Sequence, residues 1–228
     1  MRPTRSLLFL TGIAALVFAP AVALRSQDPQ PVAAAWKKAD SAAHAAMLAS
    51  KEAYLGSKSC KMCHNKAETG DSYDCWENSG HAKAFETLKG EAAKKIAAEL
   101  GLKDAAKAPE CLKCHVTGAA FLGDEERFGK KFSLEDGVGC ESCHGPAGGH
   151  IDGRKAAKAT KVPTDRLPEL PPGELVVPDL ALCSQCHNDE SPTYEAFDPE
   201  KMLKAIAHLH PLREKPRVSP PKKKESEK

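Results

Sequence analysis

The sequence predicts a mainly α-helical, single domain with little regular secondary structure and a core filled by something other than side chains. Three observations carry that prediction. Only 5% of the 228 residues are aromatic and the apolar ones are largely alanine, too little bulk for the interior of a chain this long. Apolar positions recur at helical spacing in a few short stretches, while strand signals are sparse. Eight of the nine cysteines fall into four Cys-x-x-Cys-His units.

In chain order, residues 1–23 read as a secretory signal peptide: Arg2 and Arg5, an apolar stretch from Leu7 to Ala19, then Ala21-Val22-Ala23 as a small-x-small cleavage site. An uncleaved anchor is the alternative, since Pro20 sits close to that site. The stretch falls short of the roughly 18 residues of a spanning helix, and nothing later is apolar for long enough. The mature chain is therefore expected to be exported to the periplasm without an integral membrane span. Arg2 and Arg5 are the only charged side chains before residue 24, so the remaining 31 Lys+Arg balance the 31 Asp+Glu and imply no nucleic-acid surface. Residues 24–55 form a helical extension, with a helix expected near 32–54 and His44 on a face with Met47 and Leu48.

The four units are Cys60-Lys61-Met62-Cys63-His64, Cys111-Leu112-Lys113-Cys114-His115, Cys140-Glu141-Ser142-Cys143-His144 and Cys183-Ser184-Gln185-Cys186-His187. Each is a c-type haem attachment motif. Two cysteines three apart reach the two vinyl groups of one haem as thioethers, and the adjacent histidine turns its imidazole to the iron. Zinc sites or a disulfide framework are the competing readings, and neither explains the histidines. With 9 histidines in 228 residues, one after each unit by accident is on the order of one in a million. Four covalently bound haem c groups would fill the core of a domain spanning residues 56–215, and the chain without them should fold poorly.

Between the motifs, a helix is expected near 80–100, stopped by Gly101. Its start follows a cap at Asn78-Ser79-Gly80 and places His81 on one face with Phe85 and Leu88. The run from His144 to His150 is rich in Gly and Pro, suited to passing close to a flat ring, and His150 should serve a different haem from His144. Lys161 to Asp179 carries five prolines and reads as an extended connector. A helix near 199–210 opens at Asp198-Pro199, and its apolar face through Leu203 and Ile206 favours His210 over His208 as a sixth ligand. Cys75, beside Trp76, reads as a buried inert thiol, and residues 216–228, with Lys222-Lys223-Lys224, as a disordered tail.

From about Gly56 to Lys215 the chain resembles the tetrahaem cytochrome c-554 family of ammonia-oxidising bacteria. The similar stretches are Ser79 to Ala84, Cys111 to Gly118, Gly137 to Pro146 and Met202 to His210, the third being the most specific. The resemblance implies that His81, His150 and His210 are distal ligands of three haems and that the haem of the second motif is five-coordinate, with an open iron at His115. The extension has no placed counterpart in the family. His44 is a candidate cap for the open iron, but its weakly apolar face favours a surface or core histidine on an added helix.

The leading functional expectation is an electron carrier, since no nucleophile, phosphate loop or paired acid/base motif is visible. The resemblance implies transfer from a hydroxylamine-oxidising multihaem enzyme to a cytochrome or quinone-linked acceptor of the membrane chain. The alternative is a small-molecule reductase at the open iron, with nitric oxide as the substrate the resemblance suggests. A haem-based sensor or a subunit of a larger redox complex is a weaker third. No Cys-x-x-Cys-Lys unit, the usual mark of pentahaem nitrite reductases, is present.

Overall fold

The computed structural model describes residues 37–67, 70–159 and 175–208, with the side chains of 157–159 left out. The expectations for the signal peptide, the connector's residues 160–174, His210 and the tail lie outside the described residues. Among those described, the regular structure is helical, and the one bridge between extended segments joins Tyr54 and Phe128.

Helix α1 covers Ala42–Ala49, shorter than the expected 32–54. Ser41 starts it by accepting from His44 N at 3.0 Å, and Ser50 leaves it in extended geometry. Helix α2 (Ser57–His64) carries the first motif and α3 (Ser72–Glu77) packs against it. The expected helix at 80–100 is three pieces: a 3-10 turn at His81–Lys83, α4 at Ala84–Thr87 and α5 at Glu91–Glu99. Gly90, extended at ψ 163°, breaks it. Asn78 and Ser79 do not cap this run as expected; their side chains donate to Asp74 and Trp76 carbonyls and close α3 instead. Gly101 does end α5: at φ +71° it donates to Ala98 O while Leu102 N donates to Ala97 O, a Schellman stop.

Helix α6 (Pro109–His115) carries the second motif and α7 (Cys140–His144) the third. Helix α8 (Gly148–Ala159) starts inside the Gly- and Pro-rich run from His144 to His150. Gly148 permits a close approach: a Cβ there would meet Glu52 Oε2 at 2.8 Å and Ala53 N at 3.3 Å, so the backbone passes tightly against the segment before α2. Helix α9 (Leu180–Cys183) leads into the fourth motif. Helix α10 (Pro199–Ile206) opens at Asp198 as expected, its carboxylate accepting from Glu200 N and Lys201 N at 3.1 Å, but stops four residues short of 210.

Buried apolar side chains form two small clusters. One joins Phe85, Leu88, Ala97, Ala105, Leu112 and Val116; the other joins Ala43, Met47 and Leu182. The most deeply buried side chains are polar, Ser184 and Asn188. Next to these clusters lies a continuous cavity of about 2870 Å³, reached by the histidines of all four motifs. That is about three times the upper end of ordinary small-molecule pockets of 300–1,000 Å³.

Candidate cofactor site

Three of the four motifs end a short helix at their histidine, which fixes the two cysteines and the imidazole on one turn facing the cavity. In the fourth, α9 ends at Cys183 and one further turn, with His187 N donating to Cys183 O at 2.9 Å, carries Cys186 and His187.

The histidines outside the motifs supply the second half of the site. The rings of His64 and His150 lie 6.3 Å apart between centres, those of His81 and His187 6.0 Å, and those of His144 and His208 5.9 Å. Two imidazole nitrogens at about 2 Å from one metal ion, each about 1 Å from its ring centre, put the centres about 6 Å apart. Each pair therefore has the spacing of two axial ligands with an ion between them. No group of three or more His, Cys, Asp or Glu among the described residues is arranged as a metal ion's own ligand set. Two protein donors per ion fit a macrocycle that brings the remaining donors, and fit closed zinc sites badly. The cavity volume and the thioether-competent cysteines fit the same group.

Burial favours the neutral form of three of these imidazoles, the form that has a lone pair to give. It pushes His144 down to about 4, with nearby His208 adding to the effect, and lowers His81; His187 is lowered by burial and then by His81. Phe197 stacks on His187 at 4.3 Å and 9°, fixing its plane.

His115 is different. No imidazole among the described residues lies opposite it, and its Nδ1 is 2.7 Å from the Ala84 carbonyl. His44 lines the cavity with its pKa lowered by burial and then by Lys38, but its ring faces no other imidazole among the described residues. The preference for His210 over His208 rested on helical phase continuing past Ile206. Ala207 is extended, at ψ 126°, so the helix ends before it, and His208 lies beside His144, while His210 is outside the described residues. Cys75 is half-buried rather than buried, its thiol 3.7 Å from Ile206 O at the end of α10.

The segment Gly137 to Pro146 is the hub that holds the motifs together. Gly137, at φ +64°, lies against the first residue of the 81–87 run: a Cβ there would meet His81 O at 2.6 Å. Val138 N donates to the same carbonyl at 3.0 Å. Glu141, inside the third motif, is buried at 3% exposure. Its carboxylate accepts from Leu55 N, Gly56 N and Ala147 N, each at 2.8 Å, so it ties the start of α2 and the approach to α8 to α7. Sequence analysis placed Glu141 inside the most specific stretch of resemblance but assigned it no role; an acid between motif cysteines was the available signal.

Thiol neighbours order the four motifs. Cys60 neighbours Cys140, with α2 packed on α7; Cys186 Sγ lies 3.9 Å from Lys113 O, next to Cys114; and Cys143 packs against the cluster that holds Leu182, next to Cys183. The motifs thus run first, third, fourth, second through the cavity. The N-terminal extension is fastened to the fourth: Asp179 accepts from Ser41 Oγ at 2.8 Å and Ala43 N at 3.1 Å, and Ala39 N donates to Ser184 Oγ at 2.9 Å.

Comparison with known proteins adds two findings. The model of the family described as cytochrome c554 and c-prime matches residues 59–145. Cytochrome c-554 of Nitrosomonas europaea is 35% identical over 195 residues, covering 72% of this chain and 77% of that protein. No solved structure matches.

Proposed function

Because this chain belongs to the cytochrome c-554 family, whose members are c-type cytochromes that carry electrons on covalently bound haem, we propose that it holds four haems and passes single electrons between periplasmic redox proteins. Cys60 and Cys63, Cys111 and Cys114, Cys140 and Cys143, and Cys183 and Cys186 would hold them, with His64, His115, His144 and His187 as proximal ligands. One-electron exchange of iron between ferrous and ferric states is the chemistry the haems supply when bound. The chain's part is to fix their axial ligands, keep them dry and set their order.

The observation that carries this reading is the set of three imidazole pairs at 5.9 to 6.3 Å. It supports His150, His81 and His208 as distal ligands opposite His64, His187 and His144. Rigid double-histidine ligation changes little between oxidation states, which suits electron carriage, and the motif order supports a path with the first and second motifs at its ends. A multihaem oxidoreductase as donor and a cytochrome or quinone-linked acceptor remain the partners this reading assigns. No helix among the described residues is long and apolar enough to cross a membrane.

A second reading, small-molecule reduction such as that of nitric oxide, is favoured by one observation: His115 faces no second imidazole among the described residues. Both are tested by the dithionite-reduced spectrum before and after carbon monoxide, with haem content per chain on the same sample. Four haems with a response equal to one supports the electron carrier with an open iron at His115. Fewer than four covalent haems overturns the assignment of the motifs, and no carbon monoxide response removes the reductase reading.

A further inference from the structure

The proximal histidines differ in what holds their second nitrogen. With Nε2 given to iron, Nδ1 carries the proton and must donate. His115 Nδ1 donates to Ala84 O at 2.7 Å, a short bond, whereas the corresponding contact of His144 with Val176 O is 3.4 Å. A strong bond here gives the imidazole anionic character, which favours ferric iron and stiffens the iron–nitrogen bond.

The Ala84 carbonyl is shared. Thr87 Oγ1 donates to it at 2.6 Å and stands 3.3 Å from His115 Nδ1. A carbonyl oxygen already accepting a strong O–H bond is a weaker acceptor for the next donor, because the first draws density from the same oxygen. The 3.3 Å contact with Oγ1 is too long to make good the difference. Thr87 is solvent-facing in α4 and lines the cavity beside His115, so its hydroxyl is not needed to complete either apolar cluster.

We propose that Thr87 is a positioning residue for the second haem site: its hydroxyl competes for the Ala84 carbonyl, weakens the His115 bond and so raises the electron affinity of the iron that His115 holds. This rests on the reading of His115 as the proximal ligand of an open iron. The same run, six residues before Thr87, supplies His81 opposite His187, so one short segment serves two neighbouring sites with different parts.

The test compares the four-haem protein with its Thr87→Val and Thr87→Ser variants. The readouts are the iron–histidine stretch of the ferrous protein by resonance Raman, which only a five-coordinate haem gives, and the midpoint potential of the haem that responds to carbon monoxide. Thr87→Val is expected to raise the stretching frequency and to lower the reduction equilibrium constant of that haem about threefold to tenfold, the upper end being about 59 mV for a one-electron couple. Thr87→Ser, which keeps the hydroxyl, should match the parent, and the low-spin haems should not move. An unchanged stretch and potential in Thr87→Val, with carbon monoxide binding intact, overturns the proposal and leaves the open iron standing. So does an equal shift in Thr87→Ser, which would trace the effect to packing of the methyl group. A parent protein without a carbon monoxide response fails the open-iron reading itself and takes the proposal with it.

Discussion

Replacing Glu141 with alanine should loosen the protein by about 3–5 kcal/mol, the range seen when one partner of a buried charged arrangement is removed. The carboxylate, 3% exposed, answers three backbone N–H groups from Leu55, Gly56 and Ala147. Stranding a buried donor costs about 1–3 kcal/mol, so three give a gross loss of about 3–9 kcal/mol. Burial penalises the carboxylate and raises its pKa against the pull of those donors, and that penalty is relieved when the side chain is cut away, which keeps the net near the lower half of the range. Glu141→Gln keeps the shape but turns one acceptor into a donor, leaving one N–H stranded and costing about 1–3 kcal/mol. Guanidinium unfolding of the ferric protein, followed together by Soret absorbance and far-ultraviolet circular dichroism, reads both. An alanine variant within about 1 kcal/mol of the parent would refute the idea that this carboxylate holds the first and third motifs together.

Other outcomes follow from the same geometry. His208→Ala should convert one low-spin haem into a second one that binds carbon monoxide, while His210→Ala should not; the reverse pattern would restore the helical-phase preference for His210. Acid should act across a defined window: the neutral form of His144 contributes stability fully above the unfolded value of about 6.5, and that contribution is lost progressively as pH falls from there through its folded value of about 4. The guanidinium midpoint of the protein should therefore fall as pH drops from about 6.5 towards 4, and a midpoint that stays flat across that window would contradict it. Asp179→Ala, which removes the acceptor for Ser41 Oγ and Ala43 N, should expose residues 37–50 to limited proteolysis before the rest of the chain; simultaneous cleavage everywhere would argue against a separately fastened extension. Chain produced without haem attachment should lack a cooperative thermal transition, because its two apolar clusters are small, and a sharp transition would show that side chains alone make the core.

The sequence by itself determined the cofactor chemistry and the fold class. Four Cys-x-x-Cys-His units are local, spaced by covalent geometry, and need no tertiary information to be read. The helix start at Asp198-Pro199 and the stop at Gly101 were equally legible, since caps are made by residues a few positions apart. Helix lengths were not: Gly90 and Ala207 turn extended inside the runs read as continuous helix, and Gly148 is packed against Glu52 and Ala53, far away in sequence. Only the tertiary structure decided which histidine meets which: His64 and His150, 86 residues apart, His81 and His187, 106 apart, and His144 and His208, 64 apart, become neighbours through the hub at Gly137 to Pro146. The motif order first, third, fourth, second was hidden for the same reason. Pairing across a shared cavity depends on how short helices are tied to one another by groups such as Glu141 and the His81 carbonyl, and those ties leave no periodic or spacing signature in the chain.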